Sequence, residues 1–305
     1  MAKSICGRGT AQRMTAVVDL DKWHWGKEET SGDSDKQWLV NPEDGSAWLF
    51  KPNKANRSPD EASSEYVASE IAVALGLPAA RVMIGDRHGH RGCISKNVVT
   101  DKYHGLVEAA VFLTAITEDF DPKDKWSRGH TQANISKVLD SLDPPVSGQS
   151  DFDAKSIFAG YLIFDALIGN TDRHSKNWAI ETTLEGRDAL AASYDHATSL
   201  AVSSRGKARA QLLEDRSKIG GFVQKATAHR FEDGRGISLI DYAGLFTKRY
   251  AAATVEYWAE CITRLDLAWM RNIVDSSHMS VEAATLAIEV LAINQERIVQ
   301  CLRSR

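Results

Sequence analysis

The most informative stretch of this 305-residue chain is Gly169-Asn170-Thr171-Asp172-Arg173-His174-Ser175-Lys176-Asn177. Asp172 and Asn177 stand five positions apart. One loop can therefore supply both a carboxylate to take the proton of an attacking hydroxyl and an amide oxygen to bind a metal. A strand-like Trp178-Ala179-Ile180, a turn at Glu185-Gly186 and an apolar run over residues 189–193 lead to Tyr194-Asp195. A hairpin of that order returns Asp195 to the loop as a second metal ligand. Hard oxygen donors suit Mg²⁺, which keeps waters and leans on substrate phosphates. His174 and Lys176 add donors where charge builds on a transferring phosphoryl group; His174, two residues after Asp172, is the preferred γ-phosphate contact. Asn170 is grouped with the nucleotide-binding residues. Arg173 reads as structural, paired with a nearby carboxylate. These residue types at this spacing suit phosphoryl transfer.

These groups need positioning elements. Residues 154–168 form a strongly apolar helix pattern that ends at the Gly169-Asn170 breaker and delivers the loop. Upstream, Trp38-Leu39-Val40 and Trp48-Leu49-Phe50 flank Pro42-Glu43-Asp44-Gly45, a hairpin signal. Lys51 ends the second strand, placed to reach a nucleotide's α- and β-phosphates. Glu65 and Glu70, on a helix predicted over residues 60–75 and stopped by Gly76, are candidate carboxylates to hold it; Glu65 is preferred. That helix is expected to turn Tyr66, Val67, Ile71, Ala74 and Leu75 to one face. The polar loop over residues 26–37 contains Ser31 and Gly32, the candidate phosphate cover, although it lacks a GxGxxG pattern. Further strands are expected over residues 81–84 and 93–99. Helices follow after about residue 100, including residues 254–265 and 281–302. The expectation is an α+β protein of two lobes, a β-rich nucleotide-positioning lobe over 1–100 and a mostly helical catalytic lobe over 101–305.

With 43% hydrophobic and 26% charged residues, the chain can bury a sizeable core. A net charge of −4, from 37 basic and 41 acidic residues, gives no global basic field for nucleic acid. Cys6, Cys93, Cys261 and Cys301 form no CxxC, which suggests reduced thiols rather than a zinc site or a disulfide framework. No signal-peptide core and no membrane-spanning apolar run is present, so a cytoplasmic location is expected. The remaining histidines lack metal-ligand spacing.

The run Asn170-Thr-Asp-Arg-His-Ser-Lys-Asn177 with Tyr194-Asp195 resembles the catalytic core of the HipA-like serine/threonine kinases. Asp172-Arg-His-x-x-Asn177 is also similar to the catalytic loop of phosphoinositide kinases. Trp48-Leu-Phe-Lys51-Pro and Glu65-Tyr-x-Ala-x-Glu-Ile-Ala through Gly76-Leu-Pro78 look like the family's first lobe. The resemblance implies a bilobed protein-kinase-like fold, ATP with Mg²⁺ as cofactors, and a protein substrate with a Ser or Thr acceptor. Some members are toxins that pair with an antitoxin protein; longer members carry an extra N-terminal subdomain for which this chain looks too short. His196-Ala197 follows Asp195 in place of the Phe-Gly of ordinary kinases. Two rival readings are a kinase of a lipid or small molecule and a nucleotide-binding pseudokinase. The cluster Arg205, Lys207 and Arg209, beside Ser203 and Ser204, reads as a solvated loop, with a regulatory phosphosegment as its alternative.

Overall fold

A six-stranded sheet opens the structure, with strand order β1-β5-β6-β4-β3-β2. In the computed structural model, residues 14–28, 35–100, 105–118, 120–146, 151–184 and 186–304 are described. The strands are β1 (Val18–Asp19), β2 (His24–Glu28), β3 (Gln37–Val40), β4 (Ala47–Pro52), β5 (Val82–Arg87) and β6 (His90–Lys96). The predicted hairpin is β3–β4, with Trp38 opposite Leu49. Strand alternation buries Trp48 and Phe50 in a small cluster with Leu20, Trp23, Leu39 and Ile94. The same period of two turns Lys51 to the other face, where it pairs with Cys93 of β6. Val98 and Val99, expected to extend the last strand, lie beyond β6.

Helix α1 (Glu61–Ala74) packs on β5 and β6. Gly76, at φ +71°, closes it: Leu77 N–H donates to Ala72 O and Gly76 N–H to Val73 O, the double bond pattern of a left-handed C-terminal cap. The one-face expectation is corrected. Residues 62–69, 71 and 72 are all buried, because α1 is also covered by the helical part of the molecule, while Ala74 is exposed.

A second sheet, β7 (Gly105–Glu108), β8 (Ala179–Thr182) and β9 (Ala189–Leu190), links the two parts. The helices are α2 (Ala109–Ile116), α3 (Gln132–Asp140), α4 (Ala154–Ile168), α5 (Gly206–Leu213), α6 (Arg216–Gln224), α7 (Leu239–Tyr250), α8 (Val255–Arg264), α9 (Leu267–Ser276) and α10 (Val281–Arg303). The chain is an α+β protein with a bilobed kinase-like architecture. Helix α4 lies at its centre, against α3, α7 and α10. Asp153 caps its N-terminus and Gly169, at φ +67°, its C-terminus. Between them every residue except Lys155 is buried. Each fully buried Leu, Ile or Phe contributes about 1.5–3 kcal/mol, so this helix anchors the loop that follows it. Among the described residues no helix is long and apolar enough to cross a membrane.

Candidate active site

The loop after α4 is ordered from beneath by a buried ion pair. Arg173 donates through Nε (2.6 Å) and Nη2 (2.7 Å) to Asp165 of α4, and both side chains are 2% exposed. Arg173 also donates to the Asn177 carbonyl (2.9 Å) and faces His196 Nε2 (3.3 Å). The expected structural role of Arg173 is thereby met, and its partner is the one acid in a mostly apolar helix. Such an acid is itself a sequence signal, because a fully buried carboxylate needs a partner. Asn170 donates to Asp165 (2.8 Å) and accepts from Asp172 N–H (3.1 Å). Both ends of its amide are engaged inside the loop and it is 1% exposed, so it orders the loop rather than reaching a nucleotide.

Asp172 and Asn177 sit at the mouth of this loop. The Asn177 amide donates to the Asp172 carbonyl (2.7 Å), which leaves its own oxygen available as a ligand. Arg230 grips one oxygen of Asp172, with Nε at 2.8 Å and Nη2 at 2.6 Å. The half-buried His174 accepts Lys176 N–H at Nδ1 (3.2 Å). Burial lowers its pKa below the usual histidine value, opposed by the Asp172 carboxylate. Lys176 is partly exposed.

The β8–β9 hairpin returns Asp195 to the loop. Ser193 is pinned to the connection after α1, donating to Pro78 O (2.9 Å) and accepting from Ala80 N–H (2.8 Å). Tyr194 then donates to the Lys176 carbonyl (3.1 Å). Asp195 adopts φ +63°, a left-handed conformation that Asp tolerates better than most residues. Its carboxylate pairs with Lys51 Nζ at 3.0 Å, joining residues 144 positions apart. Burial opposes the Lys51 charge, but Asp195 and then Glu65 outweigh it and hold its pKa well above the usual lysine value. The Lys51 ammonium in turn holds the Asp195 carboxyl well below the usual carboxylate range.

Glu65 is fully buried. Burial raises its pKa, opposed chiefly by Lys51. The His196 and Ala197 amides pull it down as well, though neither carboxylate oxygen has a hydrogen bond of standard geometry. His196 Nδ1 lies 3.9 Å from it. Glu70 stands apart, half-buried and facing Arg81. Asp195, Lys51 and Glu65 thus form one charge cluster. Ser31 and Gly32 lie outside the described residues.

The chain beyond Asp195 is stitched to α1. Ser64 donates to Ser199 O (3.1 Å), and Arg209 donates twice to Asp60 (3.1 Å each), the residue that precedes α1. Ser280 N–H and Oγ also donate to Asp60. This corrects the solvated-loop reading at Arg209, while Arg205 and Lys207 are exposed. Residues 206–213 are helix α5, and Arg209 is 8% exposed with its guanidinium engaged by Asp60, Ser280, Ser204 O and Val202 O. Asp60 and Arg230 escaped the sequence reading because their side-chain partners lie 58 to 220 positions away.

The residues present suit a magnesium ion. One carboxylate and one amide oxygen are hard donors, too few to enclose a cation alone, as expected where phosphate oxygens complete the shell. Among the described residues no cluster of three or more His, Cys, Asp or Glu side chains could hold a metal by itself.

No curated protein sequence matches the chain. Among solved structures it is similar to a Helicobacter pylori proinflammatory kinase, CtkA. The TM-score is 0.69 at 16% identity, over 94% of this chain and 97% of that one. It is more loosely similar to HipA of Shewanella oneidensis MR-1, solved with HipB and operator DNA as a toxin–antitoxin system. There the TM-score is 0.44 at 14% identity, over 90% of this chain and 68% of that one. The family model for the HipA-like C-terminal domain matches residues 13–265, most of the chain, and the protein belongs to that family.

Proposed function

We propose that this chain is an ATP- and Mg²⁺-dependent serine/threonine protein kinase. The observation that carries the reading is the Lys51–Asp195 ion pair, which joins the β-rich lobe to the end of the hairpin that follows Asp172 and Asn177. In this reading residues 1–100 position the nucleotide and residues 101–305 carry the catalytic loop. Lys51 contacts the α- and β-phosphates, with Glu65 supplying counter-charge from α1. Asn177 and Asp195 hold Mg²⁺, which supplies charge neutralisation at the phosphates. Asp172 takes the proton of the acceptor hydroxyl, while His174 and Lys176 donate to the γ-phosphoryl group as charge develops there. Ser31 and Gly32 complete the proposal as the phosphate cover.

We place the protein in the cytoplasm, where ATP is supplied and thiols stay reduced. A toxin role with an antitoxin partner rests on family membership alone. Growth arrest on expression, relieved by Asp172→Ala, is the measurement for it.

The direct test is incubation with γ-labelled ATP and Mg²⁺, alone and with cell lysate, beside Asp172→Ala. Label on a protein band that disappears in the folded variant supports the kinase reading. Retained transfer in Asp172→Ala removes Asp172 as the base. Mg²⁺-dependent ATP binding without transfer to any protein moves the assignment to a small-molecule or lipid acceptor, or to a pseudokinase.

A further inference from the structure

The guanidinium that meets Asp172 belongs to no part of the catalytic loop. Arg230 reaches it from 58 positions away, with Nε at 2.8 Å and Nη2 at 2.6 Å, both on Oδ1. Among the described residues no hydrogen bond reaches Oδ2. The Asp172 main chain is fixed as well: its N–H donates to Asn170, and its carbonyl accepts from Asn177 and from His174 N–H. Only the rotation of the carboxylate is left for Arg230 to set.

The backbone that carries Arg230 is held by a buried frame. The Arg230 carbonyl lies 2.7 Å from His130 Nδ1, and His130 Nε2 lies 3.1 Å from Trp178 Nε1. An indole N–H can only donate, so His130 accepts at Nε2 and carries its proton at Nδ1, which donates to Arg230. Phe231 stacks on His130 with ring centroids 4.6 Å apart. Glu232 N–H donates to His130 O (3.0 Å), Gly129 N–H to Glu232 (2.7 Å) and Gln132 N–H to Asp233 (2.9 Å). Trp178 directly follows Asn177. The frame therefore starts at the catalytic loop, passes through His130, and returns to Asp172 through the Arg230 side chain.

We propose that Arg230 is a positioning residue for the transfer step, fixing Asp172 by one oxygen so that the other is free to take the acceptor's proton. The proposal rests on the kinase reading above. In that step the acceptor hydroxyl oxygen bonds to the γ-phosphorus. The bond from that phosphorus to the β,γ-bridging oxygen breaks and leaves ADP, and the hydroxyl proton passes to Asp172 Oδ2. In this reading Arg230 acts only through Asp172. A removable plug over the base would also contact Asp172, but it would sit on a loosely held segment, whereas residues 228–234 are bonded at nearly every position to the 129–132 turn or to each other.

The experiment measures initial rates of transfer from γ-labelled ATP to dephosphorylated casein as a generic hydroxyl acceptor, and to water. The variants are Arg230→Ala, Arg230→Lys, Asp172→Asn and the Asp172→Asn/Arg230→Ala pair. A misaimed catalytic group loses about 10- to 100-fold. Arg230→Ala is expected to lower kcat by that factor with the KM for ATP within about twofold, as for an effect confined to the transfer step. Arg230→Lys recovers part of the rate, since it keeps the charge but not the fork. Adding Arg230→Ala to Asp172→Asn costs nothing further. Arg230→Ala with unchanged kcat overturns the proposal, and a higher kcat replaces it with a plug that must leave. An equal loss in the Asp172→Asn background makes Arg230 merely structural. A wild type that transfers phosphate to neither acceptor, nor to any lysate protein, defeats the kinase reading itself and this assignment with it.

Discussion

Removing either member of the Asp165–Arg173 pair strands a charge inside the protein. Asp165 accepts three hydrogen bonds, from Arg173 Nε and Nη2 and from Asn170 Nδ2, at 2.6–2.8 Å. With both side chains 2% exposed, water cannot substitute. Loss of one partner of a buried pair costs about 3–5 kcal/mol, because the survivor stays desolvated and unpaired. Asp165→Leu and Arg173→Met are each expected to lose that much, a summed loss of roughly 6–10 kcal/mol. The double variant strands no charge, and an apolar pair of similar volume is often close to neutral. What remains is the Asn177 carbonyl that Arg173 no longer satisfies and the Asn170 amide that Asp165 no longer accepts, about 1–3 kcal/mol each. The double variant should therefore lose about 2–6 kcal/mol, less than the summed single losses, with a coupling energy of about 4 kcal/mol at mid-range. Urea unfolding followed by tryptophan fluorescence reads this, with equal slopes required before midpoints are converted to free energies. Additive single losses, or an Asp165→Leu loss under about 1 kcal/mol, would refute the inference that burial makes this pair interdependent.

His130 makes a pH prediction. Burial lowers its pKa from the usual 6.5 to about 4. Between these values the unfolded chain binds a proton that the folded chain refuses, so stability rises with pH across that window and is flat above it. The drop from pH 6.5 to pH 4 is on the order of 3 kcal/mol for this group. The buried His196 and half-buried His174 are displaced the same way and add to it. His130→Gln should flatten part of the slope in denaturation series at fixed ionic strength, and an unchanged slope would exclude His130 as a contributor. At Gly92 a β-carbon would meet the carbonyl oxygen of Lys51 in the paired strand. Gly92→Ala is expected to cost about 1–3 kcal/mol and to weaken ATP binding by displacing Lys51. Calorimetric titration with ATP that finds native affinity would show the strand adjusts without moving Lys51.

Much of the site is legible along the chain because its parts are local. The Asp172 to Asn177 spacing lies within one loop, and Gly169 ends α4 by rules of backbone geometry. The turn at Glu185-Gly186 makes the return of Asp195 foreseeable. Lys51 and Glu65 are found from strand alternation and helix placement together with the family resemblance. The face of α1 is misread because its pattern, Glu-Ala-Ser-Ser-Glu-Tyr-Val-Ala-Ser-Glu, uses small serines that suit burial between two layers as well as they suit solvent. In the structure Ser63, Ser64 and Ser69 donate to carbonyls across those layers. The helices at 206–224 are short and weakly patterned, so neighbours rather than periodicity define them.

What the sequence determined by itself is the set of chemical groups and the order in which the chain presents them, since caps, turns and alternation act over a few residues. Tertiary structure alone decided the pairing: Lys51 with Asp195, Arg209 with Asp60, and Arg230 with Asp172, each across 58 to 149 positions. A charged side chain at a given position looks the same in sequence whether it ends in water or against a carboxylate. Only the packing that excludes water from one of those places distinguishes them.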